Sequence, residues 1–308
     1  MKLFVDRLIA AIKEKDTPCI VGLDPVIDKM PVAFLAEHEI TAESSLAECA
    51  EAIYQYNLIV LDAVSDLVPA VKPQAAYYEM CGSFGFQALE KTMQAARDRG
   101  LLVILDVKRG DIASTAAAYA QSYLPSLPPR PFEADAITVV PYLGEDCLAP
   151  FFQQAIQWGK GIFVCVKTSN PGAAIIQEQK IGDRFLYEII GDLIIEASSN
   201  SIGESGYSGI GAVVGATYPE AAHRLRQQLP HSLFLVPGVG AQGGGNAGIK
   251  ACFNHDGLGA IISSSRAIMY PHLYGSFHLG TKQTSQVLLS SAIRQAAINL
   301  IQQVGEII

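Results

Sequence analysis

The stretch Leu101–Asp111 reads LLVILDVKRGD. Its first part, Leu101–Asp106, is a short uninterrupted apolar run, and the residues after it turn abruptly to charge and glycine. Continuous apolarity without polar alternation is what a parallel strand buried on both faces requires. Seven other runs share this character: Cys19–Leu23, Ala70–Lys72, Ala136–Val140, Gly161–Val166, Ile210–Val214, Leu233–Val236 and Ala260–Ser263. Helical patterns fill most of the gaps. Ser45-Leu-Ala-Glu48 offers a capping box before Cys49–Leu67. Asp111–Tyr123 is rich in Ala, Asp146–Trp158 and Arg184–Ala197 space their apolar residues by three and four, Pro219 opens Ala221–Leu229, and Ser285–Val304 is a long closing helix. Eight strands alternating with helices in about 300 residues is the count of a (β/α)8 TIM barrel, the fold class expected here. A doubly wound sheet uses the same alternation and is the main rival. No stretch has the composition of a linker, so one catalytic domain over residues 1–308 is expected.

Composition narrows the function. Half of the residues are hydrophobic and only 17% are charged, enough apolar chain for a large core. The net charge of −8 and the absence of any Lys/Arg run argue against a nucleic-acid surface. An anionic ligand must then be held by a few local donors, because the global field opposes it. The six cysteines have no CxxC spacing, which suggests buried reduced thiols and neither a disulfide framework nor a zinc site. The six histidines include no HExxH pair, so no protein-built transition-metal site is expected. The opening MKLFVDRLIAAIKEKD is interrupted by Asp6, Lys13, Glu14, Lys15 and Asp16 and reads as an amphipathic helix, not a signal peptide. No apolar run reaches the ~18 residues that span a membrane, and a cytoplasmic location is expected. Pro25–Thr41 extends the first loop, Pro125–Pro131 tightens the approach to the fourth strand, and Asn200–Ser208 is Gly/Ser-rich and expected to be exposed. The long segments bear on the lid or on an assembly edge.

In a barrel the C-terminal strand ends and the loops after them build the active site. Those ends carry Asp24, Lys72, Asp106 with Lys108 and Asp111, Lys167 to Asn170, Thr217, the Gly238–Gly245 loop and Ser265-Arg266. In an extended segment Asp106 and Lys108 point to the same side, because side chains alternate with period two. Asp111 comes next, at a helix start, where it can also act as an N-cap. With Lys72 this makes an array of two carboxylates and two ammonium groups, able to hold a lysine charged and aimed to deliver a proton. The bland alternative is a salt-bridge network with a helix cap. Asp24, in Gly22-Leu-Asp24-Pro, suits either a sugar hydroxyl or a turn before proline. The loop Val236-Pro-Gly-Val-Gly-Ala-Gln242-Gly-Gly-Gly245 contains a literal GxGxxG. A dinucleotide fold needs that motif after the first strand of a unit, with an acidic residue ending the next strand, whereas Asp256 precedes the next apolar run. After strand seven, with Ser264-Ser265-Arg266 after strand eight, the loop suits a barrel phosphate site. There glycines let backbone N–H groups approach, Gln242 donates and Arg266 binds bidentately.

Together these residues resemble the orotidine 5′-phosphate decarboxylase family, in the style of its longer bacterial subgroup. Asp106-x-Lys108-x-x-Asp111-Ile-x-x-Thr115 matches the family's DxKxxDIxxT core, and Lys72 falls on its strand-two lysine. Ser169-Asn-Pro-Gly falls on the segment that closes over the pyrimidine, and Pro237–Gly243 with Arg266 on the phosphate-binding elements. The resemblance covers essentially the whole chain, although DxKxxD alone is shared with sugar-phosphate decarboxylases. It implies decarboxylation of orotidine 5′-monophosphate to UMP and CO2 in pyrimidine biosynthesis, with no cofactor and with no partner beyond the nucleotide and a second copy of the chain. It implies Lys108 as the acid that protonates C6 and Asp106 near the departing carboxylate. Asp111 is implied to come from the partner subunit of a homodimer, reaching the ribose with Thr115. Lys72 and Asp24 are implied as ribose contacts, Ser169 as the base contact, and Gln242 and Arg266 as phosphate ligands. Three rivals remain: a Mg2+-dependent sugar-phosphate decarboxylase or synthase, which needs an acid where Lys72 stands; a Schiff-base aldolase using Lys72, Lys108 or Lys167; and a non-catalytic phosphate binder.

Overall fold

The computed structural model describes residues 2–125, 127–238, 245–274 and 286–308. Its centre is a closed barrel of eight parallel strands: β1 Cys19–Leu23, β2 Ala70–Pro73, β3 Leu102–Arg109, β4 Ala136–Val139, β5 Gly161–Lys167, β6 Ser208–Val214, β7 Ser232–Pro237 and β8 Ala260–Ser264. Each strand pairs with its neighbours in chain order, and β8 closes on β1 through Cys19↔Ile262 to Val21↔Ser264. The chain is therefore a (β/α)8 TIM barrel and not a doubly wound sheet.

Strand alternation divides the apolar residues into two cores. Ile20, Ala70, Leu102, Ile104, Ala136, Phe163, Val213, Leu235 and Ile261 fill the barrel interior, while Val21, Val71, Val103, Leu105, Ile137, Val164 and Val236 face the helical layer. Because both faces are buried, the period of two is invisible in hydropathy, which explains the continuous apolar runs. The amphipathic N-terminal helix, Phe4–Lys15, closes the barrel bottom, with Phe4 edge-on to Phe163 at 6.3 Å between ring centroids. At the opposite end the inward positions pass to Lys72, Asp106 and Thr138, so a polar layer sits on an apolar plug.

Several boundaries differ from the sequence reading. The capping box forms, with Ser45 Oγ accepting from Glu48 N and Glu48 Oε2 from Ser45 N, so the helix begins at Leu46 and not at Cys49. Arg184–Phe185 pairs with Lys180–Ile181 as a small antiparallel hairpin, and the helix expected from Arg184 starts at Leu186. Pro25–Thr41 contains a helix, Val32–Glu37. Asn200–Ser208 lies at the closed end, where Glu204 N and Ser205 N donate to the Asp6 carboxylate, so this loop anchors the bottom helix and has no place in a lid. All six cysteines are free. Among the described residues no helix is long and apolar enough to cross a membrane.

Candidate active site

Asp106 organises the barrel mouth. It points inward from β3 and is 5% exposed. Its Oδ2 accepts hydrogen bonds from Lys72 Nζ at 2.8 Å and Gln74 Nε2 at 3.0 Å. Its Oδ1 accepts from Lys108 Nζ at 2.6 Å and Thr138 Oγ1 at 2.8 Å. Four donors from three neighbouring strands and their ends thus surround one carboxylate. All four are side chains, so among the described residues no main-chain bond depends on this carboxylate.

Lys108 reaches Asp106 by an unexpected route. The β3–β4 ladder pairs Leu105 with Ile137, shifts register, and resumes at Arg109↔Val139. Inside that bulge Lys108 has φ 44°, the left-handed region that costs an L-residue roughly 1–2 kcal/mol. Regular alternation is therefore not what unites the two side chains; a bulge with a left-handed residue is. The Lys108 side chain remains 47% exposed, whereas that of Lys72 is 7% exposed.

The charges sustain one another. Burial alone would raise the Asp106 pKa, but the ammonium groups of Lys72 and Lys108 outweigh it and hold the carboxyl well below the usual range. Burial would likewise discharge Lys72, yet Asp106 and Asp24 more than compensate, and its pKa is raised. Cys165 lies within the same field, and burial pushes its thiol up to about 12, so it stays neutral and adds no charge.

A cleft beside this network is lined by Asp24, Lys72, Gln74, Asp106, Pro237, Gly238, Ser263, Ser264, Ser265 and Arg266. The Asp24 backbone is held by Tyr270, whose hydroxyl donates to Asp24 O, while Asp24 Oδ1 is buried with no hydrogen-bond partner among the described residues. A buried carboxylate oxygen without a donor favours the ligand reading of this residue over the turn reading. Gly22 leaves room for the Ser265 side chain just beyond β8, since a Cβ there would fall 1.9 Å from Ser265 Oγ. With Lys108, the described residues of the mouth include three cations (Lys72, Lys108, Arg266) and two carboxylates (Asp24, Asp106), an excess of one positive charge in an acidic chain. Gln242 lies outside the described residues.

Ser169 lies just beyond β5 at the same mouth, packed so close to Gly215 that a Cβ there would fall 2.9 Å from its own Cβ. The segment is braced by Gln177, which accepts from Thr168 N and donates to Thr168 Oγ1, both at 2.9 Å. Lys167 is fully buried, 2.9 Å from Glu178 Oε1 and 3.8 Å from the Tyr218 ring centroid, partners other than Asp106.

Asp111 and Thr115 do not join the array. The helix after β3 is Ala113–Tyr123 with Ile112 at its N-cap, and the half-buried Asp111 accepts from Ile112 N. Asp111 is therefore not the N-cap, because the chain stays extended for one more residue. Thr115 is exposed in the first turn. The array of two carboxylates and two lysines is, within one chain, one carboxylate with two lysines, joined by Gln74 and Thr138, to which the sequence reading gave no role. Thr138 was detectable in principle, two positions after the inward Ala136 on β4. Among the described residues no three His, Cys, Asp or Glu side chains are grouped to hold a metal ion.

The model of the orotidine 5′-phosphate decarboxylase / HUMPS family matches residues 20–270, a span that holds every candidate site residue from Asp24 to Arg266. The orotidine 5′-phosphate decarboxylase of Rhodopirellula baltica is 40% identical over 305 residues, covering 98% of this chain and 99% of its own. That of Caldicellulosiruptor saccharolyticus is 40% identical over 298 residues, 95% and 97% of the two chains. The solved structure of the Leishmania donovani OMP decarboxylase matches with a TM-score of 0.72 and 30% identity, covering 99% of this chain and 98% of that one.

Proposed function

This chain belongs to the orotidine 5′-phosphate decarboxylase / HUMPS family, and from that premise we propose that it converts orotidine 5′-monophosphate to UMP and CO2, as a single catalytic domain acting in the cytoplasm on pyrimidine biosynthesis. The observation that carries this reading is the Asp106 carboxylate clamped between Lys72 and Lys108 beside a cationic cleft. The bond from C6 to the carboxylate breaks, and its electron pair stays on C6. An ammonium group fixed at that carbon stabilises the charge as it develops, in a site where water is scarce. Lys108 then gives its proton to C6 and recovers one from solvent. Asp106 keeps both lysines in place, and the 2.6 Å bond to Oδ1 aims Lys108. Asp24 accepts from a ribose hydroxyl, Ser169 addresses the base, and Arg266 with Gln242 holds the phosphate. Phosphate contacts remote from C6 supply binding energy that organises the reacting end.

The family name also covers enzymes acting on sugar phosphates. For those an acid is needed at the end of β2, and this chain has Lys72 there, hydrogen-bonded to Asp106. No metal and no organic cofactor is required in the proposed chemistry. Loss of orotidine 5′-monophosphate absorbance in EDTA, run beside Lys108→Ala, tests the whole reading. Rapid turnover that falls by about 10³-fold or more in the variant is expected, given what a positioned proton donor and charge stabiliser contribute. Inactive, well-folded wild type sinks the proposal.

We also propose a homodimer in which Asp111 and Thr115 complete the partner's site. Both stand apart from the Asp106 cluster of their own chain, and exposed apolar side chains lie nearby on the loops after β3 and β4, with Ile112 57% and Tyr142 79% exposed. Mixed dimers of Lys108→Ala and Asp111→Ala chains should regain one working site in each heterodimer. Verified heterodimers with no turnover rule out shared sites.

A further inference from the structure

We propose that Arg109 is the positioning residue for Lys108: its guanidinium holds the peptide that precedes the proton donor in the plane its left-handed backbone needs. The inference rests on the proposed role of Lys108 as the donor.

The bulge leaves the peptide between Val107 and Lys108 outside the regular ladder, and side chains take both of its polar atoms. Arg109 Nη1 donates to Val107 O at 2.9 Å, and Lys108 N donates to Thr138 Oγ1 at 3.0 Å. The φ angle of Lys108 is the rotation about its N–Cα bond relative to this peptide, so holding the peptide plane constrains where the side chain departs. Beyond it, Arg109 O accepts from Val140 N at 2.8 Å, and a Cβ at Gly110 would fall 2.7 Å from Val140 O, so the chain has no room to slide.

The guanidinium is itself anchored. Its Nη2 donates to Glu79 Oε1 at 2.5 Å and to Tyr123 Oη at 3.0 Å, and it lies 5.5 and 5.4 Å from the ring centroids of Tyr119 and Tyr123. Glu79 ends the helix Ala75–Glu79, whose N-cap Gln74 donates to Asp106. One planar fork thus ties the β2 end to the strand that carries the donor. A lysine has a single point of contact and does not reproduce the two-sided grip.

The test compares wild type, Lys108→Ala, Arg109→Ala, Arg109→Lys and Glu79→Gln for kcat, KM, UMP binding and rescue by added guanidinium ion. Misplacing a reacting group by about 1 Å costs about 100-fold, so Arg109→Ala and Arg109→Lys should lose about that much kcat while KM and UMP affinity stay within about threefold. Guanidinium chloride, below denaturing concentration, should restore at least a tenth of the loss in Arg109→Ala, where ammonium chloride does not. Glu79→Gln, which keeps the fork but loosens its anchor, should show a smaller kcat loss with the same unchanged KM. A kcat for Arg109→Ala within about threefold of wild type overturns the inference. So does a parallel loss of kcat, UMP binding and melting temperature without rescue, the mark of a purely structural clamp. If Lys108→Ala itself turns over normally, the donor reading fails; if Lys108→Ala is inactive and Arg109→Ala is not, only the positioning inference fails.

Discussion

Asp106 at the mouth and Asp135 at the closed end are nearly matched in burial, 5% and 6% exposed, and each is flanked by two cations. Asp135 precedes β4 and takes Arg7 Nη2 at 2.6 Å and Lys160 Nζ at 3.2 Å on Oδ1, and Val103 N at 2.9 Å on Oδ2. Both carboxyls are held below their ordinary pKa, against burial, by their cations. What separates them is what they hold. Asp135 satisfies a backbone N–H at the start of the β3–β4 ladder and ties in the bottom helix through Arg7, so it completes main-chain bonding. Among the described residues Asp106 holds only side chains, one of them a half-exposed lysine on a left-handed backbone, beside a cleft with an unpaired carboxylate oxygen. Equal burial and equal pairing therefore do not imply equal roles. The polarity of the barrel distinguishes them, since the strand C-termini open into loops free to serve a ligand while the N-termini are sealed.

The largest test of this contrast replaces each carboxylate with its amide. Asp106→Asn should lower turnover by about 10³-fold, because Lys108 loses its aim and Lys72 its partner. Asp135→Asn should leave kcat per folded molecule within about twofold yet cost about 2 kcal/mol in urea unfolding, less than a fully buried pair because Arg7 reaches solvent. A collapse of kcat in Asp135→Asn breaks the division between the two ends. The cations sharpen it further. Lys72→Met should reduce turnover by about 100-fold, whereas Lys160→Met should cost about 1 kcal/mol of stability and leave the kinetics intact; equal kinetic losses contradict the contrast.

The smallest effect is in pH. A carboxyl with a depressed folded pKa contributes stability that is complete above its unfolded value near 4 and is lost as pH falls through the folded value. The stability gap between wild type and Asp135→Asn, measured by urea unfolding, should be constant from pH 7 to 5. It should narrow below about pH 4, by up to about 1.4 kcal/mol per pH unit. A gap that persists unchanged to pH 3 shows that Asp135 acts by packing and not by charge.

Much of this architecture was legible in advance. A strand buried on both faces must be apolar throughout, so all eight runs coincide with barrel strands to within about two residues at most ends. The charged residues at their C-terminal ends were equally visible, and Asp24, Lys72, Asp106 and Arg266 do line one cleft. For Thr138 only the inward position on β4 was visible, not the role, because a threonine in a strand is ordinary composition until its hydroxyl has a carboxylate to meet. Arg109 was hidden for a similar reason, its partner Glu79 being 30 residues away. Asp111 is a residue type that can cap a helix, but the N-cap position falls one residue later, on the extended Ile112.

The sequence by itself determined the eight strands, the two faces they bury and the kinds of charge that crown them, since burial and side-chain period are properties of each local segment. Tertiary structure alone decided which charges meet. Lys72, Gln74 and Thr138 reach Asp106 from 32 to 34 residues away, through the registry of neighbouring strands in a closed barrel. The left-handed turn at Lys108 belongs to that same level: only the β4 ladder, Thr138 and Arg109 together hold a backbone that a lysine would not adopt on its own.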